Sequence, residues 1–426
     1  MKRSSKIIKC IVIAVMISML VGGLGTSALA QKARLSISVF GIFIPTANEL
    51  FEKQVNEWAA KKGVKVDIEF VSIDDLIVKL ATAAETGVGP DILGGQPHTA
   101  ALYPEVLINV DDLAEELGEK YGWFPVCEKI CKVGDHWKAI PWYPSNQAIL
   151  VRKDLLLASG QALPPENWTW EDLLEMAIKI KAATGVGMGF ALGHASGDAN
   201  QFAYPLLWSY GGKEVEEDGR TIALDSSETR QALRFLKRLY TEAMLPGVLG
   251  WDDGSNNRVF LAGVNAMTNN SGSIYWASKK ANPLVRANMT HLLFPSGPAG
   301  KFQLAEVRQY VIFKHSKYPE LAKDLIRHVM EKDQYLPYMA LGEGNTSPPL
   351  VAYTKHPMWE DPALRPFIRA NEVLQPIGYP GPVTRQAAET HATFIIVDMF
   401  ANVARGVPAD EAVRGAVEEM KSIYRK

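Results

Sequence analysis

The feature that most constrains this chain is a strand–helix alternation that occurs in two separate stretches. In the first, residues 35–40 and 64–71 are rich in apolar and β-branched residues, and residues 49–62 between them carry apolar side chains at helical spacing. A second helical pattern covers residues 74–86 and leads into the short apolar run 91–93. This order predicts a βαβαβ unit, with a largely parallel sheet and helices on both of its faces.

The same alternation restarts after Pro141. A strand is predicted at residues 148–151, and Thr169 and Asp172 have the spacing of a capping box that begins a helix. Asp225 and Glu228 are predicted to cap another helix, which continues to Ala243. Further strands are predicted at residues 189–192, 265–268, 292–294 and 310–313, and a further helix at residues 319–330. The fold class is therefore α/β, with two such units in one chain.

Composition and charge exclude several classes of protein. The 426 residues are 47% hydrophobic and 22% charged, which is typical of globular proteins and sufficient for about two or three compact domains. The formal net charge is -2, but residues 1–30 hold four basic residues and no acid, so the rest of the chain carries -6. Such a chain has no basic footprint for nucleic acid. We therefore expect no nucleic-acid partner.

The N-terminus predicts export. Basic residues precede an apolar run at residues 10–20, and Ala28-Leu29-Ala30 before Gln31 is typical of a cleavage site. Residues 1–30 are thus predicted to be a secretory signal peptide, with cleavage between Ala30 and Gln31. Cys10 lies inside the apolar run, so the lipoprotein attachment signal is missing. We expect a periplasmic protein that is not inserted in the membrane once processed.

Removal of the signal peptide leaves two cysteines, Cys127 and Cys131. An oxidising compartment permits a disulfide between them. A helix would place both residues on one face with unfavourable disulfide geometry, so a bond favours a turn here. Their C-x-x-x-C spacing is not that of redox enzymes, and two thiolates alone do not form a zinc site. We interpret them as a structural pair and a possible disulfide.

The mature chain lacks the sequence signatures of common enzymes. It has no G-x-S-x-G, no H-E-x-x-H, no phosphate-binding loop and no G-x-G-x-x-G after a strand. Adjacent acid pairs such as Asp252-Asp253 do not create the separation that glycoside hydrolysis requires. The 8 histidines include no pair at i, i+4. The sequence therefore predicts a protein that is not an enzyme and has no cofactor and no metal.

Several loops combine aromatic rings with amides and acids. Trp142 lies in the loop segment before the strand at residues 148–151, and Trp251 begins the polar segment 251–258. Sugars suit such loops, because their C–H faces stack on aromatic rings and their hydroxyls need amide, carboxylate or guanidinium partners. We therefore predict ligand contacts for Trp142 and Trp251, and expect replacement by Ala to weaken binding while leaving the fold largely intact.

An ordered set of short segments resembles a known family. The segments are GPDI at residues 89–92, AIP at 139–141, RKDLL at 152–156, PP at 164–165 followed by WTWEDL at 168–173, FLAGVNAMT at 260–268 and PSGPAG at 295–300. Together they resemble the extracellular solute-binding proteins of ABC importers, in particular the carbohydrate-binding group that includes maltose-binding protein.

The resemblance implies two α/β lobes, each a mostly parallel sheet flanked by helices, joined by three hinge crossings near residues 143–151, 307–313 and 350–359. The N-terminal lobe would comprise residues 31–143 plus about 308–352, and the C-terminal lobe about 148–306 plus about 358–426. Ligand contacts carried over from the family are Gln96, Trp142, Tyr143, His194, Asp198, Trp251, Asp252, Asn269, Asn270 and Arg308.

The resemblance also implies a function. A carbohydrate would be captured between the lobes and delivered to the transmembrane subunits of an ABC permease by a monomeric binding protein. Two alternatives stay open: the same transport role for glycerol phosphate or a polyamine, and a secreted glycan-processing enzyme.

Overall fold

The computed structural model describes residues 33–425, so the predicted signal peptide and its cleavage site lie outside the described residues. The strands, in chain order, are β1 (Arg34–Phe40), β2 (Lys65–Val71), β3 (Ile92–Gly95), β4 (Lys132–Val133), β5 (His136–Trp137), β6 (Ile140–Pro144), β7 (Ala148–Arg152), β8 (Met267–Asn270), β9 (Met289–Leu292), β10 (Gln303–Leu304), β11 (Val307–Ile312) and β12 (Leu374–Gln375).

Helices separate these strands and cover the sheets. The helices of eight or more residues are Pro45–Lys62, Ile73–Thr86, Asp111–Tyr121, Trp170–Thr184, Asn200–Ser209, Ser227–Glu242, Ser273–Ala281, Pro319–Met330, Lys332–Leu341, Arg385–Ala392, Ile395–Arg405 and Ala409–Tyr424. The shorter ones are Thr99–Leu102, Pro125–Cys131, Lys153–Ala158, Ser255–Leu261, Pro283–Asn288 and Arg365–Arg369, with 3₁₀ turns at Pro246–Gly250, Val351–Lys355, Pro357–Glu360 and Ala370–Glu372.

The larger sheet has the strand order β2-β1-β3-β11-β6. β1 pairs in parallel with β2 and β3, as the βαβαβ pattern predicts, whereas β11 pairs antiparallel with β3 and β6. Four of the five strands therefore run in one direction and β11 runs against them. This reversal arises because β11 enters the sheet from the other half of the molecule and not from a local crossover helix.

The second sheet has the order β8-β7-β9, and β7 pairs antiparallel with both neighbours. Here β7 is the strand that enters from the other half, directly after β6. β8 and β9 run in the same direction as each other. The second sheet is therefore antiparallel throughout, and the larger sheet has two parallel and two antiparallel pairings, so the prediction of a mostly parallel sheet in each lobe is wrong for the second sheet. The reason is that β7 enters between β8 and β9 and runs against both of them.

Helix ends follow the local chemistry of the sequence. Thr169 Oγ1 accepts a hydrogen bond from Asp172 N at 3.2 Å, and Asp172 Oδ2 accepts one from Thr169 N at 2.7 Å, so the predicted capping box is confirmed. The helix Ser227–Glu242 is capped by Ser226, whose Oγ accepts from Thr229 N, and not by Asp225.

Most of the buried hydrophobic side chains form two large clusters. The first holds residues of 35–148 and 305–374, and the second, apart from Ala101, holds residues of 149–304 and 377–423. The chain passes between them at residues 148–149, at residues 304–305 and at residues 374–377. The first two passages lie near the predicted crossings, whereas this packing favours a third crossing later than residues 350–359. The division of the chain into lobes stays a proposal.

Three local predictions differ from the structure. Residues 189–192 form no regular strand, because Gly189 N donates to Met267 O and Leu192 N donates to Val248 O, which belong to different segments. β8 and β9 are displaced by two or three residues from their predicted positions. Cys127 and Cys131 are both free and buried within the helix Pro125–Cys131, so the possible disulfide is not present. The helical backbone explains this, since it disfavours a bond between residues i and i+4.

No helix found within residues 33–425 combines the length and the apolar character that crossing a lipid bilayer requires.

A buried acid in the second core predicts a pH-dependent stability. Glu214 is fully buried, and burial raises its pKa to about 8 although Gly378 N and Tyr204 Oη donate to its oxygens at 3.2 and 3.3 Å. The folded chain therefore keeps a proton that the unfolded chain releases above about pH 4.5. The stabilisation is complete below that pH and is lost as pH rises to about 8.

We expect Glu214→Gln, which resembles the protonated acid, to remove this dependence. At pH 8 the variant should be more stable than the wild type by roughly 4 kcal/mol, and at pH 4.5 it should be nearly equal. Urea denaturation followed by circular dichroism across this pH range measures the difference. The exposed Glu217→Gln serves as the matched control and should change nothing. Equal gains at both pH values would contradict the assignment of the proton to Glu214.

Candidate functional site

A polar pocket lies between the two halves of the molecule, beside the first crossing. We call it the inner pocket; it encloses about 40 Å³ and is lined by Phe40, Phe43, Ile73, Tyr143, Ser145, Gln147, Gly197, Asp198, Gln201, Asp253, Asn270, Ser271, Ser273, Arg308 and Asn345. Tyr143 and Arg308 come from β6 and β11 of the larger sheet, whereas Asn270 ends β8 of the second sheet. The pocket is therefore built from both halves, and its walls carry hydroxyl, amide, carboxylate and guanidinium groups.

Two carboxylates are held on the second-sheet side of this pocket. Asp253 Oδ1 accepts hydrogen bonds from the backbone N–H groups of Gly197 and Asp198, at 2.9 and 3.0 Å. Asp198 Oδ1 accepts one from Gln147 Nε2 at 2.6 Å. Asn269, behind them, donates to Gln147 Oε1 at 2.6 Å and to Asp198 O at 2.9 Å. This network fixes the orientation of both acids before any ligand arrives.

Burial shifts the pKa of both acids upwards. The pKa of Asp198 is raised chiefly because its carboxyl group is buried, and then because of the nearby Asp253, although hydrogen bonds from Gln147 and Asn256 oppose the shift. Burial also raises the pKa of Asp253, and its two backbone donors and the charge of Arg308 oppose that shift. Two acids that repel each other favour a shared proton. Such a pair can both donate to and accept from a ligand hydroxyl.

Arg308 supplies the positive charge of the inner pocket. Its Nη1 lies 3.2 Å from Glu306 Oε1, and both side chains are almost completely buried. Arg308 Nε and Nη1 form no hydrogen bond of good geometry with any residue of 33–425. Burial raises the pKa of Glu306 to about 7, and Arg308 opposes that shift. The guanidinium thus has donors in reserve next to the pocket.

A second cavity, which we call the outer pocket, adjoins the first. It encloses about 390 Å³ and is lined by Phe40, Gly41, Phe43, Phe70, Val71, Ser72, Ile73, Asp74, His194, Asp252, Asp253, Gly254 and Arg258. This volume lies within the roughly 300–1,000 Å³ typical of small-molecule sites. Phe40, Phe43, Ile73 and Asp253 line both pockets. The two pockets are therefore parts of one cleft.

The structure brings six of the ten sequence-predicted residues to this cleft. Tyr143, Asp198, Asn270 and Arg308 line the inner pocket, and His194 and Asp252 line the outer pocket. Asn269 lies behind the inner pocket and supports Gln147. Gln96 is fully buried after β3 and lines neither pocket. Direct ligand contact by these residues stays a prediction.

The predicted roles of Trp142 and Trp251 do not agree with their positions, since neither lines the inner or the outer pocket. The Trp142 ring stacks on Tyr310, with 4.8 Å between ring centroids, and lies 5.6 Å from Phe51 in the first core. The Trp251 ring packs so closely over Gly189 that a Cβ there would lie 2.3 Å from it. Both rings fill cores instead of facing a ligand.

Sequence reasoning also missed lining residues. Gln147 lies five residues after Trp142, and Asp253 directly follows Asp252. The sequence prediction therefore included residues close to both, but neither Gln147 nor Asp253 itself. Phe40 ends the first strand and Phe43 follows it, in a segment with only apolar side chains and Gly41. An apolar segment after a strand carries no polar signal for a binding site, although the ends of parallel strands are common ligand positions.

Family comparison agrees with this geometry. Residues 44–335, more than half of the chain, match the family described as bacterial extracellular solute-binding protein. This chain belongs to that family. One relative of this chain is a protein from Brucella abortus that is named only as a binding protein. It is 25% identical over 319 residues, which are 73% of this chain and 74% of the relative.

Solved structures resemble the whole described part of the binding protein. An ABC transporter solute binding protein of Thermotoga lettingae, bound with alpha-D-tagatose, has a TM-score of 0.80 at 19% identity and covers 92% of this chain and 100% of its own. Maltose-bound T. maritima MalE3 has a TM-score of 0.77 at 23% identity, with the same coverage of both chains. The two-lobed α/β fold predicted from the sequence is confirmed.

Proposed function

We propose that this chain is the periplasmic binding component of an ABC importer, capturing a carbohydrate between its lobes and delivering it unaltered to a membrane permease. The observation that carries the proposal is the cleft itself. Its walls come from both lobes, and its inner part presents buried acceptors and donors, among them Asp198, Gln201 and Arg308. A ligand that bonds to both walls favours the closed arrangement, since it stabilises that state more than the open one.

The chemistry of the walls suits a sugar. Each hydroxyl is both donor and acceptor, and the inner pocket offers amides, hydroxyls and acids that match either role. Phe40 and Phe43 supply aromatic faces at the mouth of the inner pocket for the apolar side of a sugar ring. The carbohydrates bound to the tagatose- and maltose-bound relatives support this choice of ligand class.

A phosphate ester is less favoured than a neutral sugar. In the inner pocket Arg308 is the one cationic lining residue and is paired with Glu306, and the acids Asp198 and Asp253 also line the pocket. A polyamine would instead be attracted by Asp198 and Asp253. We therefore keep glycerol phosphate and polyamines as separate arms of the test, together with an assay for conversion of every compound that binds.

The test is a thermal-shift screen of the mature protein with monosaccharides, disaccharides, polyols, glycerol phosphate and polyamines. A saccharide present at about 100 times its dissociation constant should stabilise the fold by about 2.7 kcal/mol. Gln201→Ala should lower the affinity for that saccharide about 10-fold, because Gln201 lines the inner pocket. Gln231→Ala, on an exposed helix face, should leave the affinity unchanged. Stabilisation by a polyamine alone, or turnover of a bound glycan, would contradict the proposal.

A further inference from the structure

The two parts of the cleft accept groups of very different size. The inner pocket encloses about 40 Å³, which is space for about three or four water-sized spheres and too little for a sugar ring. The outer pocket encloses about 390 Å³, which is enough for one ring. Asp253 lines both pockets and therefore lies where they meet. A ring held in the outer pocket can extend only a small substituent into the inner one.

The charged groups of the cleft are unequally paired. The lining acids are Asp74, Asp198, Asp252 and Asp253, and the lining arginines are Arg258 and Arg308. Each arginine already has an acid partner, since Arg258 lies 3.0 Å from Asp252 and Arg308 lies 3.2 Å from Glu306. The hydrogen-bond partners of Asp198 and Asp253 are instead neutral, an amide side chain for the first and two backbone N–H groups for the second. The inner pocket therefore holds two acids whose own partners carry no charge.

One carboxylate oxygen of this pair has no partner. Asp198 lines the inner pocket and is 5% exposed, and its Oδ2 is buried without a hydrogen bond of good geometry to any residue of 33–425. Gln147 Nε2 donates to the other oxygen, Oδ1, at 2.6 Å and so fixes the direction of the carboxylate. A buried acceptor without a donor is costly, so the free oxygen indicates a donor supplied by the ligand.

The protonation of the two acids points to a cationic donor. Burial raises the pKa of Asp198 and of Asp253, and the charge of Asp253 raises that of Asp198 further. Without a cation the pair retains a proton, because two neighbouring buried carboxylates repel each other. A ligand hydroxyl would fill the free acceptor and leave that repulsion in place. A ligand ammonium group would fill the acceptor and also neutralise the charge that the proton now balances.

The walls of the outer pocket fit the ring that carries such a group. Phe43 is 44% exposed and contacts Phe40 edge to face, with 5.8 Å between ring centroids. Its exposed face suits the C–H side of a sugar ring, and the Asp252–Arg258 pair suits the ring hydroxyls. A linear polyamine has neither a C–H face of this kind nor hydroxyls, so these walls favour a sugar over it.

We propose that the ligand is an amino sugar, with its ring in the outer pocket against Phe43 and its ammonium group in the inner pocket between Asp198 and Asp253. An ammonium group is about as large as a water molecule, so it matches the small volume of the inner pocket as well as its charge. This inference rests on the proposed function and names the substrate class within it.

The test compares amino sugars with their neutral counterparts by isothermal titration calorimetry at pH 6.5, where the amine is charged. The probes are D-glucosamine, D-galactosamine and D-mannosamine, each beside its parent hexose and its uncharged N-acetyl derivative. At least one amino sugar should bind about 10-fold or more tightly than both of its counterparts, because charge-assisted hydrogen bonds are roughly twice as strong as neutral ones.

Asp198→Asn keeps the shape of the side chain and removes its charge. We expect it to lower the affinity for that amino sugar at least about 10-fold more than the affinity for the parent hexose. Asp253→Asn should act in the same direction and serves as the second variant if the first folds poorly, which circular dichroism checks. Asp135→Asn, an exposed acid that lines neither pocket, is the matched control and should bind as the wild type does.

The outcomes separate this inference from the function on which it rests. Neutral saccharides that bind as tightly as every amino sugar would overturn the amino-sugar assignment and leave the carbohydrate function standing. A preference for the amino sugar that persists in both Asp198→Asn and Asp253→Asn would also overturn it. The absence of binding by every saccharide, with or without an amine, would contradict the proposed function and the assignment with it.

Discussion

Replacing Trp142 by Ala should lower the free energy of unfolding by about 3–5 kcal/mol, the cost of removing a large buried aromatic side chain. Trp142 is 3% exposed and its ring contacts Phe51, Tyr143, Tyr310 and Tyr338. Its removal leaves a cavity that these four rings cannot fill without leaving their own packing. Urea denaturation followed by circular dichroism measures the loss.

This expectation reverses the one drawn from the sequence, in which Trp142 contacts the ligand and its loss spares the fold. Trp276→Ala is the control, because that ring is only partly buried against the same core and should cost less stability. A Trp142→Ala variant with unchanged stability and weakened sugar binding would restore the sequence-based assignment and contradict the structural one.

The tryptophans show what a sequence pattern cannot determine. A ring beside small polar residues occurs both in binding loops and at the ends of core strands, and the difference lies in residues distant in sequence. For Trp142 these are Tyr310 and Tyr338, and for Trp251 the glycines Gly189 and Gly193. The helices and strands of the first unit and the capping box of Thr169 and Asp172 were predictable because they depend on neighbours within a few residues.

The polar residues of the cleft were predicted from the resemblance to the family. Asp198, Asn270 and Arg308 were carried over from the family's positions, and all three line the inner pocket. Their convergence could not be derived, because it depends on how two lobes approach each other. Gln147 shows this limit: it connects Asp198 with Asn269, residues 71 positions apart.

Gly272 lies at a close contact between the two lobes. Gly272 follows β8 of the second sheet, and a Cβ added to it would lie 2.2 Å from Glu343 O and 2.5 Å from Asn345 N. These backbone atoms follow the helix Lys332–Leu341, whose buried side chains belong to the first core. Ser271 Oγ donates to Asn345 Oδ1 at 2.8 Å, and Lys279 forms an ion pair with Glu343. The contact therefore joins the two lobes at the edge of the inner pocket.

Gly272→Ala should accordingly oppose closure. The backbone of Gly272 is in the right-handed helical region, with φ -71° and ψ -2°, so alanine adopts it without strain and the added methyl group acts only through the contact. Overpacking of this kind costs about 1–3 kcal/mol, roughly 5- to 150-fold in the equilibrium between closed and open forms. Ligand affinity should fall by that factor, and small-angle X-ray scattering should report a larger radius of gyration.

Gly415→Ala provides the matched control, because the added Cβ meets nothing within 4 Å and the residue lies inside the helix Ala409–Tyr424. That variant should bind as the wild type does and be slightly more stable, since alanine favours a helix. If Gly272→Ala lost affinity only in proportion to a loss of folded protein, the methyl group would be damaging the second lobe and not its closure. Full affinity in Gly272→Ala would place the ligand-bound state in a more open arrangement than the one described, in which residues 272 and 343–345 no longer touch.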